Sequence, residues 1–413
     1  MNVDFYSGRH IYDNSLLLVI PSILEIREKE AYIDLDFSNN LEAYLREFDT
    51  VTVACPASLA NGEFPGTRTL HEIQGGDRVR LVVLPKAYRE DYYFLNRRAV
   101  SQLISTEIDK SRYLLISPHA VFDWSTFAAE IAIKKSRLFN MEADWNRFET
   151  SHYIWRQMPN GLNKIRKRLW LAYQDPKYLR CLRNSTISLL QGEDVYNAYK
   201  DIAPNAFPVL NVQVTDNEKI SYEKFEEKIA NVRSGEPIKI VYAGRADEMK
   251  GPIHWLKALK YLDEFGVQYQ ATWFGTGKLT LEMRRYISQN SLSNCMLAGP
   301  VQRDEVFDAL REAHIFMYCH MGKESPRCLV EAIASAAPLV GFGSDYSRSL
   351  VREHGGGAFV DLGDSESLAK VVQSLDRNRD DLARMIKEAA SSSNLLDRDK
   401  AIEQRIRLMK EHL

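Results

Sequence analysis

Two cationic residues lie beside a predicted turn from a strand into a helix. The stretch 238–251 reads IKIVYAGRADEMKG, and its apolar, β-branched beginning predicts a buried strand that ends at Gly244. Arg245 follows at once, and Lys250 precedes a helix predicted over 252–265. Helix N-termini attract anions, arginine can bind two phosphate oxygens, and lysine adds a point charge. The stretch therefore predicts a diphosphate site, with a surface ion pair beside an ordinary turn as the equally weighted alternative.

Two glutamates occupy a second predicted strand-to-helix unit. A strand is predicted over 315–320, and Pro326 lies near the first position of the helix that follows. Glu324 and Glu331 are seven residues apart, which is close to two turns of about 3.6 residues, so both carboxylates are expected on one side. A carboxylate can accept hydrogen bonds from both hydroxyls of a vicinal diol. We expect one acid to bind ribose and the other a hexose hydroxyl; the alternative is an amphipathic helix with one solvated and one buried glutamate.

Polar residues also follow predicted strands in the N-terminal half. His119 follows a strand predicted over 113–117, and Glu142 and Asp144 close the next one. These side chains can exchange hydrogen bonds with sugar hydroxyls, and we assign Glu142 and Asp144 to an acceptor. Gly8 lies between an opening strand and the next element, where it lets a ligand approach the backbone. Ordinary turn residues remain the alternative at His119 and Gly8.

Strands and helices alternate in both halves of the chain. This alternation predicts an α/β protein with two doubly wound, parallel-sheet, Rossmann-like domains, residues 1–212 and 213–396. The final helix, 397–413, is expected to cross back to the first domain. Residues 14–26 are predicted as a helix and residues 203–220 as the linker.

Composition limits the classes of function. A formal net charge of −2 over 413 residues argues against a nucleic-acid binder. Five scattered cysteines without a CxxC motif indicate reduced thiols and a cytoplasmic location, and no run approaches the roughly 20 apolar residues that span a bilayer. Residues 161–183 carry seven lysines and arginines against one acid, with aromatic residues between them. They predict either peripheral contact with the inner membrane face or a solvated helix face.

The glycine pattern disfavours a dinucleotide enzyme. No GxGxxG follows the first strand of either half, and Gly275 and Gly277 form only a two-glycine turn. An NAD-dependent oxidoreductase is therefore disfavoured. No DxD-type metal site is evident in the sequence, so we expect neither a metal nor a cofactor.

Taken together, these motifs resemble the GT-B glycosyltransferases, and among them the retaining family 4 type that uses nucleotide sugars. The resemblance covers most of 238–377. It is carried by Gly244-Arg245 with Lys250-Gly251, Phe274-Gly275-Thr276-Gly277, Ala298-Gly299-Pro300, the Glu324 to Ala332 window, and Gly192-Glu193-Asp194-Val195-Tyr196. It implies two facing Rossmann-like domains, with the donor held mainly by the C-terminal domain and the acceptor by the N-terminal one.

The resemblance also implies residue roles. Arg245 and Lys250 would neutralise the leaving diphosphate, Glu331 would bind ribose, Glu324 would touch the transferred sugar, and His119 would contact the donor sugar. The resulting catalytic set is Arg245, Lys250, His119 and Glu324, and the donor-binding set is Gly244, Arg245, Lys250, Gly275, Gly277, Glu324, Ser325, Arg327 and Glu331. The family places seven residues between its two acids, whereas this chain has six, with Lys323 at the expected position.

We therefore expect a glycosyltransferase that moves a sugar from a UDP- or GDP-sugar to a glycan, lipid-linked or small-molecule acceptor. Retention, metal independence and a place in polysaccharide biosynthesis are further expectations. Two alternatives stay open. One is a nucleotide-sugar epimerase, and the other is a non-catalytic glycosyltransferase-like subunit, which the shifted Glu324 favours.

Overall fold

The structure is a computed structural model that describes residues 14–27, 30–59, 66–86, 89–119, 122–144 and 146–413. The chain divides into two units, Met1–Leu210 with Asp399–Leu413, and Asn211–Arg398. Gly8 lies outside the described residues. The acceptor and donor roles expected for the two halves stay predictions.

The first unit contains ten strands and six helices before the chain leaves it, counted over the described ranges. The strands are β1 Ser15–Val19, β2 Leu24–Arg27, β3 Glu30–Asp34, β4 Thr50–Leu59, β5 Thr67–Thr69, β6 Val79–Leu84, β7 Tyr113–Ile116, β8 Asn140–Ala143, β9 Ile187–Gln191 and β10 Ala206–Val209. The helices are α1 Leu35–Glu47, α2 Glu90–Lys110, α3 Trp124–Lys134, α4 Arg147–Gln157, α5 Leu162–Asn184 and α6 Glu193–Tyr199.

Parallel pairing dominates the sheet of this unit. The order β10-β9-β8-β7-β1-β4-β6 is parallel throughout. The C-terminal end of β4 also pairs with β2, and β2, β3 and β5 extend the sheet with antiparallel pairs. Helices cover the parallel part, as the α/β alternation predicts.

One local prediction is wrong in this unit. Residues 14–26, expected as a helix, form β1 and β2 instead. The β1 residues are all buried because β1 is a central strand: Leu16 and Leu18 join one core cluster, and Leu17 and Val19 join another. Such a continuous apolar run has no strand alternation to identify it. Residues 203–220, expected as the linker, include the boundary between the units at Leu210–Asn211, although their first part forms β10, which pairs with β9.

The second unit has six strands and eight helices. The strands are β11 Ile238–Ala243, β12 Tyr269–Phe274, β13 Cys295–Gly299, β14 Ile315–Tyr318, β15 Leu339–Phe342 and β16 Gly357–Val360. The helices are α7 Tyr222–Arg233, α8 Pro252–Glu264, α9 Thr280–Gln289, α10 Arg303–Glu312, α11 Arg327–Ala334, α12 Asp345–His354, α13 Ser365–Arg377 and α14 Arg379–Ser391.

All strands of this second sheet are parallel, in the order β13-β12-β11-β14-β15-β16. This is a doubly wound sheet in which the winding reverses between β11 and β14. The α/β architecture with two parallel-sheet domains is thereby confirmed. The last helix, α15 Arg398–His412, belongs to the first unit, where Ile402, Ile406 and Met409 join the core around α1.

Candidate active site

The switch point of the second sheet gathers the predicted donor residues. β11 and β14 are neighbours, and their chain continuations pass to opposite sides of the sheet. Gly244 and Arg245 follow β11, whereas His320 and Glu324 follow β14. Open parallel sheets bind ligands at this position, outside the carboxyl ends of the strands. The topology therefore brings together two motifs that are about eighty residues apart in the sequence.

Glycines allow the loops beside this point to pack backbone against backbone. The Gly244 N–H donates to the Phe274 carbonyl at 2.9 Å, and the Gly275 N–H donates to the Gly299 carbonyl at 2.7 Å. A Cβ at Gly275 would lie 2.3 Å from the Gly244 carbonyl oxygen, and one at Gly277 would lie 2.4 Å from that of Ala246. Both predicted glycines thus support the loop that carries Arg245.

A third glycine fixes the start of α8. Gly251 has a φ of +61° and follows the short 3₁₀ turn Glu248–Lys250. A Cβ there would lie 2.1 Å from the Cys319 carbonyl oxygen, and the Met321 N–H donates to the Met249 carbonyl at 2.8 Å. These contacts hold the turn against the end of β14 and place Lys250 beside Glu324.

Lys250 and Glu324 form an ion pair. The Nζ–Oε2 distance is 2.6 Å, and the side chains are only 11% and 24% exposed. On the other side, His320 Nε2 lies 2.8 Å from the Tyr242 hydroxyl. Burial, and then the charge of Lys250, hold the pKa of His320 well below its ordinary value, so this imidazole is neutral at pH 7. Lys250 is therefore a buried cation of this corner, whereas His320 is not, and Glu324 balances the charge of Lys250.

Arg245 differs from Lys250 in its freedom to move. Its side chain is 80% exposed, and its Nε lies 3.6 Å from an Asp247 carboxylate oxygen. An exposed pair at this distance costs little to open. The guanidinium can therefore turn toward a phosphate without disturbing the buried core.

Glu331 has a different cationic partner. It lies on α11, and Arg303 Nη1 donates to its Oε1 at 3.3 Å. The same guanidinium donates from Nε to Glu218 at 2.5 Å. Sequence reasoning missed Arg303 and Glu218; the Thr215-x-x-Glu218 capping pattern was the available signal for the second. Near the start of α11, Ser325 is buried and Arg327 is partly exposed.

In the first unit, His119 and Asp144 come together after β7 and β8. The Nδ1–Oδ1 distance is 3.5 Å, and both side chains are about half exposed. The main-chain N–H of His119 donates to Asp123 Oδ2 at 2.7 Å, which fixes the loop. Its hydrogen bond to Asp144 raises the pKa of His119 above the ordinary value. The pair presents an accessible imidazole that is charged over more of the neutral pH range than a free histidine.

Glu142 is held inside the first unit. Gln191 Nε2 donates to its Oε1 at 2.8 Å, and Arg405 Nη1 of α15 lies 3.2 Å from the same oxygen. The carboxylate is buried, so it would contact an acceptor only after this pair opened. The acceptor roles of Glu142 and Asp144 stay predictions.

The described ranges offer neither a cluster of metal ligands nor a membrane-spanning helix. Within residues 14–413 apart from the gaps given above, no group of three or more His, Cys, Asp and Glu side chains could hold a metal ion. Over the same ranges, no helix combines the length and apolar character that a membrane span requires.

Solved structures with this fold are glycosyltransferases and related enzymes. Anabaena HepE in complex with UDP has a TM-score of 0.66 and 14% identity, covering 97% of this chain and 100% of that one. Sucrose-phosphate synthase from Thermosynechococcus elongatus has a TM-score of 0.69 and 12% identity, covering 96% and 98%. WaaG, a glycosyltransferase involved in lipopolysaccharide biosynthesis, has a TM-score of 0.64 and 12% identity, covering 95% and 99%. The fold is therefore the GT-B fold, as expected.

The family comparison agrees with the fold. The model described as "Glycosyl transferases group 1" matches residues 223–392, which include β11 to β16 and the whole Arg245–Glu331 region. A search of curated protein sequences finds no match. Residues 223–392 are thus a glycosyl transferases group 1 domain, and the protein is an enzyme of the glycosyltransferase type.

Proposed function

We propose that this enzyme transfers a hexosyl group from a nucleoside diphosphate sugar to an acceptor hydroxyl. The observation that carries the proposal is the cationic switch point, where Arg245 and Lys250 lie at the end of β11 and the start of α8, with Glu324 after β14. UDP is the first nucleotide to test, because the similar HepE binds UDP and UDP-glucose. The acceptor class is a glycan, a lipid-linked glycan or a small molecule.

Charge governs the reaction. As the bond from the anomeric carbon to the diphosphate breaks, negative charge grows on the leaving oxygen and the sugar becomes oxocarbenium-like. Arg245, Lys250 and the N-terminus of α8 stabilise that charge, and we propose that no metal or cofactor is needed. The acceptor oxygen then bonds to the anomeric carbon and passes its proton to the departing diphosphate oxygen, so the products are the glycosylated acceptor and the nucleoside diphosphate. Retention of configuration is proposed on the family 4 resemblance.

The Lys250–Glu324 pair gives donor binding a specific first step. A diphosphate offers Lys250 a stronger, doubly charged partner, so we expect Nζ to turn to the phosphates. Glu324 is then released to accept a hydrogen bond from a sugar hydroxyl. In this scheme Glu324 pairs first with Lys250 and then with the sugar hydroxyl. It does so from the loop that precedes α11, the helix that carries Glu331.

The decisive experiment measures nucleotide binding and transfer together. Thermal shift with UDP, GDP and their sugars should raise the melting temperature for one base, because a ligand of the folded state stabilises by mass action. Arg245→Ala should lower kcat/KM for the preferred donor by about 10²–10³-fold. Arg285→Ala, an exposed arginine on α9, is the matched control and should leave it unchanged.

The two alternatives predict different products. Incubation with donor alone yields an isomerised nucleotide sugar if the enzyme is an epimerase. Tight nucleotide binding with neither hydrolysis nor transfer, across a panel of acceptors, indicates the non-catalytic subunit. Absence of stabilisation by every nucleotide tested rejects all three functions.

We also propose peripheral contact with an anionic membrane through α5 and α2. Leu162, Ile165 and Leu169 of α5 and Leu95 of α2 are strongly exposed, and Arg166 pairs with Glu90 to join the two helices. Basic residues flank these apolar side chains, as in helices that lie on membrane surfaces. The cytoplasmic location stays a prediction.

Sedimentation with vesicles tests this contact. Binding to phosphatidylglycerol-containing vesicles should exceed binding to phosphatidylcholine vesicles and should fall about tenfold in Ile165→Gln/Leu169→Gln. Leu281→Gln, an equally exposed leucine on α9, is the control. Equal binding to both vesicle types contradicts the proposal.

A further inference from the structure

Arg303 contacts two separate parts of the second unit, the segment 213–218 and α11. Its Nε donates to Glu218 Oε1 at 2.5 Å, its Nη1 to Glu331 Oε1 at 3.3 Å, and its Nη2 to the Gln213 carbonyl at 2.9 Å. The guanidinium also lies 4.8 Å from the centre of the Phe307 ring. Every nitrogen of the guanidinium is therefore used, and its position is fixed by α10 and by the segment 213–218.

That segment is itself tightly held. The main-chain N–H and hydroxyl of Thr215 donate to Glu218 Oε2 at 2.8 and 3.0 Å. Arg311, about two helical turns further along α10, donates to the Glu218 carbonyl at 3.0 Å. Glu218 is thus bound through both carboxylate oxygens and its main chain, which makes it a rigid anchor for Arg303.

The same segment joins the places where the chain enters and leaves the second unit. The unit boundaries fall at Leu210–Asn211 and Arg398–Asp399. The Arg398 N–H donates to the Val214 carbonyl at 3.0 Å, and Lys219 Nζ lies 3.1 Å from Asp397. The first residues of the second unit are therefore bonded to its last residues, and the segment 213–218 that Arg303 holds takes part in this contact.

We propose that Arg303 is a positioning residue that orients Glu331 for the donor ribose. Through Arg303, binding of the nucleotide at Glu331 also stabilises the segment 213–218, near which the chain enters and leaves the second unit. This inference rests on the proposed function, because it takes Glu331 as the ribose ligand. Glu331 is only 13% exposed, and a carboxylate at such burial needs a cationic partner to stay charged at low cost. Arg303 engages one oxygen, and a carboxylate has enough lone pairs to accept the two ribose hydroxyls as well.

Two ligands measure the ribose contact separately from the diphosphate contact. Calorimetry gives the dissociation constants of 2′,3′-dideoxy-UDP and of UDP. The first divided by the second is a ratio that reports the contribution of the ribose hydroxyls alone. For the wild-type protein this ratio should be about tenfold or more, since hydrogen bonds to a charged group are involved. Arg303→Met should reduce it to near one, and Arg303→Lys should give an intermediate value.

Arg311→Met is the matched control. Arg311 binds the same segment through the Asn217 and Glu218 carbonyls, and Asp308 is its carboxylate partner. It should leave the ratio unchanged, which a merely structural role of the segment would not predict. If Arg303→Met does not fold, Glu218→Gln removes the anchor more gently and should lower the ratio partially; an unchanged ratio there overturns the inference.

The outcomes separate this inference from the proposed function. If the ratio falls to near one in Glu331→Gln but keeps its wild-type value in Arg303→Met, the positioning role is overturned and the proposed function stays intact. A ratio unaffected by Glu331→Gln rejects the ribose assignment itself. If thermal shift selects GDP, the same ratio is measured with GDP and its dideoxy analogue, and binding of no nucleoside diphosphate at all rejects the proposed function. Amide exchange over 213–218 should slow when UDP binds the wild-type protein but not Arg303→Met; equal exchange in the presence and absence of UDP overturns the link to this segment.

Discussion

Replacing Lys250 with methionine separates what this residue does for stability from what it does for catalysis. The substitution keeps an apolar stem of similar length and removes the ammonium that lies 2.6 Å from Glu324. Breaking a buried ion pair by removing one partner costs about 3–5 kcal/mol. Because Glu324 retains some contact with solvent, we expect a cost nearer to 2–3 kcal/mol, since part of the desolvation penalty in that range is absent.

The second substitution, Glu324→Gln, removes the charge that Lys250→Met leaves behind. The double variant should therefore recover much of the stability, with a coupling energy of about 1–3 kcal/mol in the double-mutant cycle. Turnover should not recover. Without the ammonium, the leaving diphosphate loses a charge-assisted donor, and both Lys250→Met variants should stay about 10²–10³-fold slower.

The assay must report on the second unit alone, because a chain of two units need not unfold in one step. Amide hydrogen exchange in β11 and β14, which flank the pair, provides that local reading. Transfer is followed with the donor found by thermal shift. A double variant that regains wild-type turnover would refute the reasoning, because Lys250 would then be only the counterion of Glu324. Lys250→Met with unchanged exchange would refute the stability estimate.

Three further predictions concern other positions. Gly251→Ala should destabilise the second unit by at least about 2 kcal/mol more than Gly266→Ala, since both have a left-handed φ but only the first Cβ meets a carbonyl oxygen; amide hydrogen exchange in the second unit measures the difference. Lys228→Met should cost about 2–4 kcal/mol in the same assay, because the buried Nζ donates to three main-chain carbonyls at the ends of α10 and α11; a cost below 1 kcal/mol contradicts this. Asp144→Asn should lower the pKa of His119, followed by NMR. The folded-state pKa of His119 is raised, so the free energy of unfolding lost in that variant should be largest below about pH 6.5 and should shrink as the pH rises through the folded-state pKa. The loss should stay under about 1 kcal/mol because the pair is half exposed.

The second sheet could be predicted from the sequence because its signals are local. Each strand is a short apolar run, and each is followed by a helix with its own start signal, such as Pro252 at the first turn of α8. Parallel order then follows from the alternation itself. The sequence does not predict the helices α7, α12 and α14.

The first sheet was predicted less well, and β1 shows the reason. Its Leu-rich run has neither the alternation of a half-buried strand nor the length of a helix, and both neighbouring strands come from distant parts of the chain. Only the sheet decides between the two interpretations.

Pairing between side chains was beyond sequence reasoning. Glu142 was assigned to an acceptor because it follows a strand, yet its nearest cation, Arg405, is 263 positions away on α15. Strand ends identify where polar residues gather, but the sheet order and the path of the last helix decide which charges meet. The same applies to Arg303 and Glu331.

Glu324 lies outside the helix on which its expected direction depended. The expected shared side for Glu324 and Glu331 used helical periodicity, but α11 begins at Arg327, so Glu324 lies in the preceding loop. Its direction is set by Lys250, whereas that of Glu331 is set by the helix and Arg303. A loop can gain or lose one residue while the helix that follows it keeps its orientation. The six-residue spacing therefore changes the path to Glu324 and leaves the position of Glu331 on its helix unaffected, which is why the ribose contact is the firmer basis for testing the donor site.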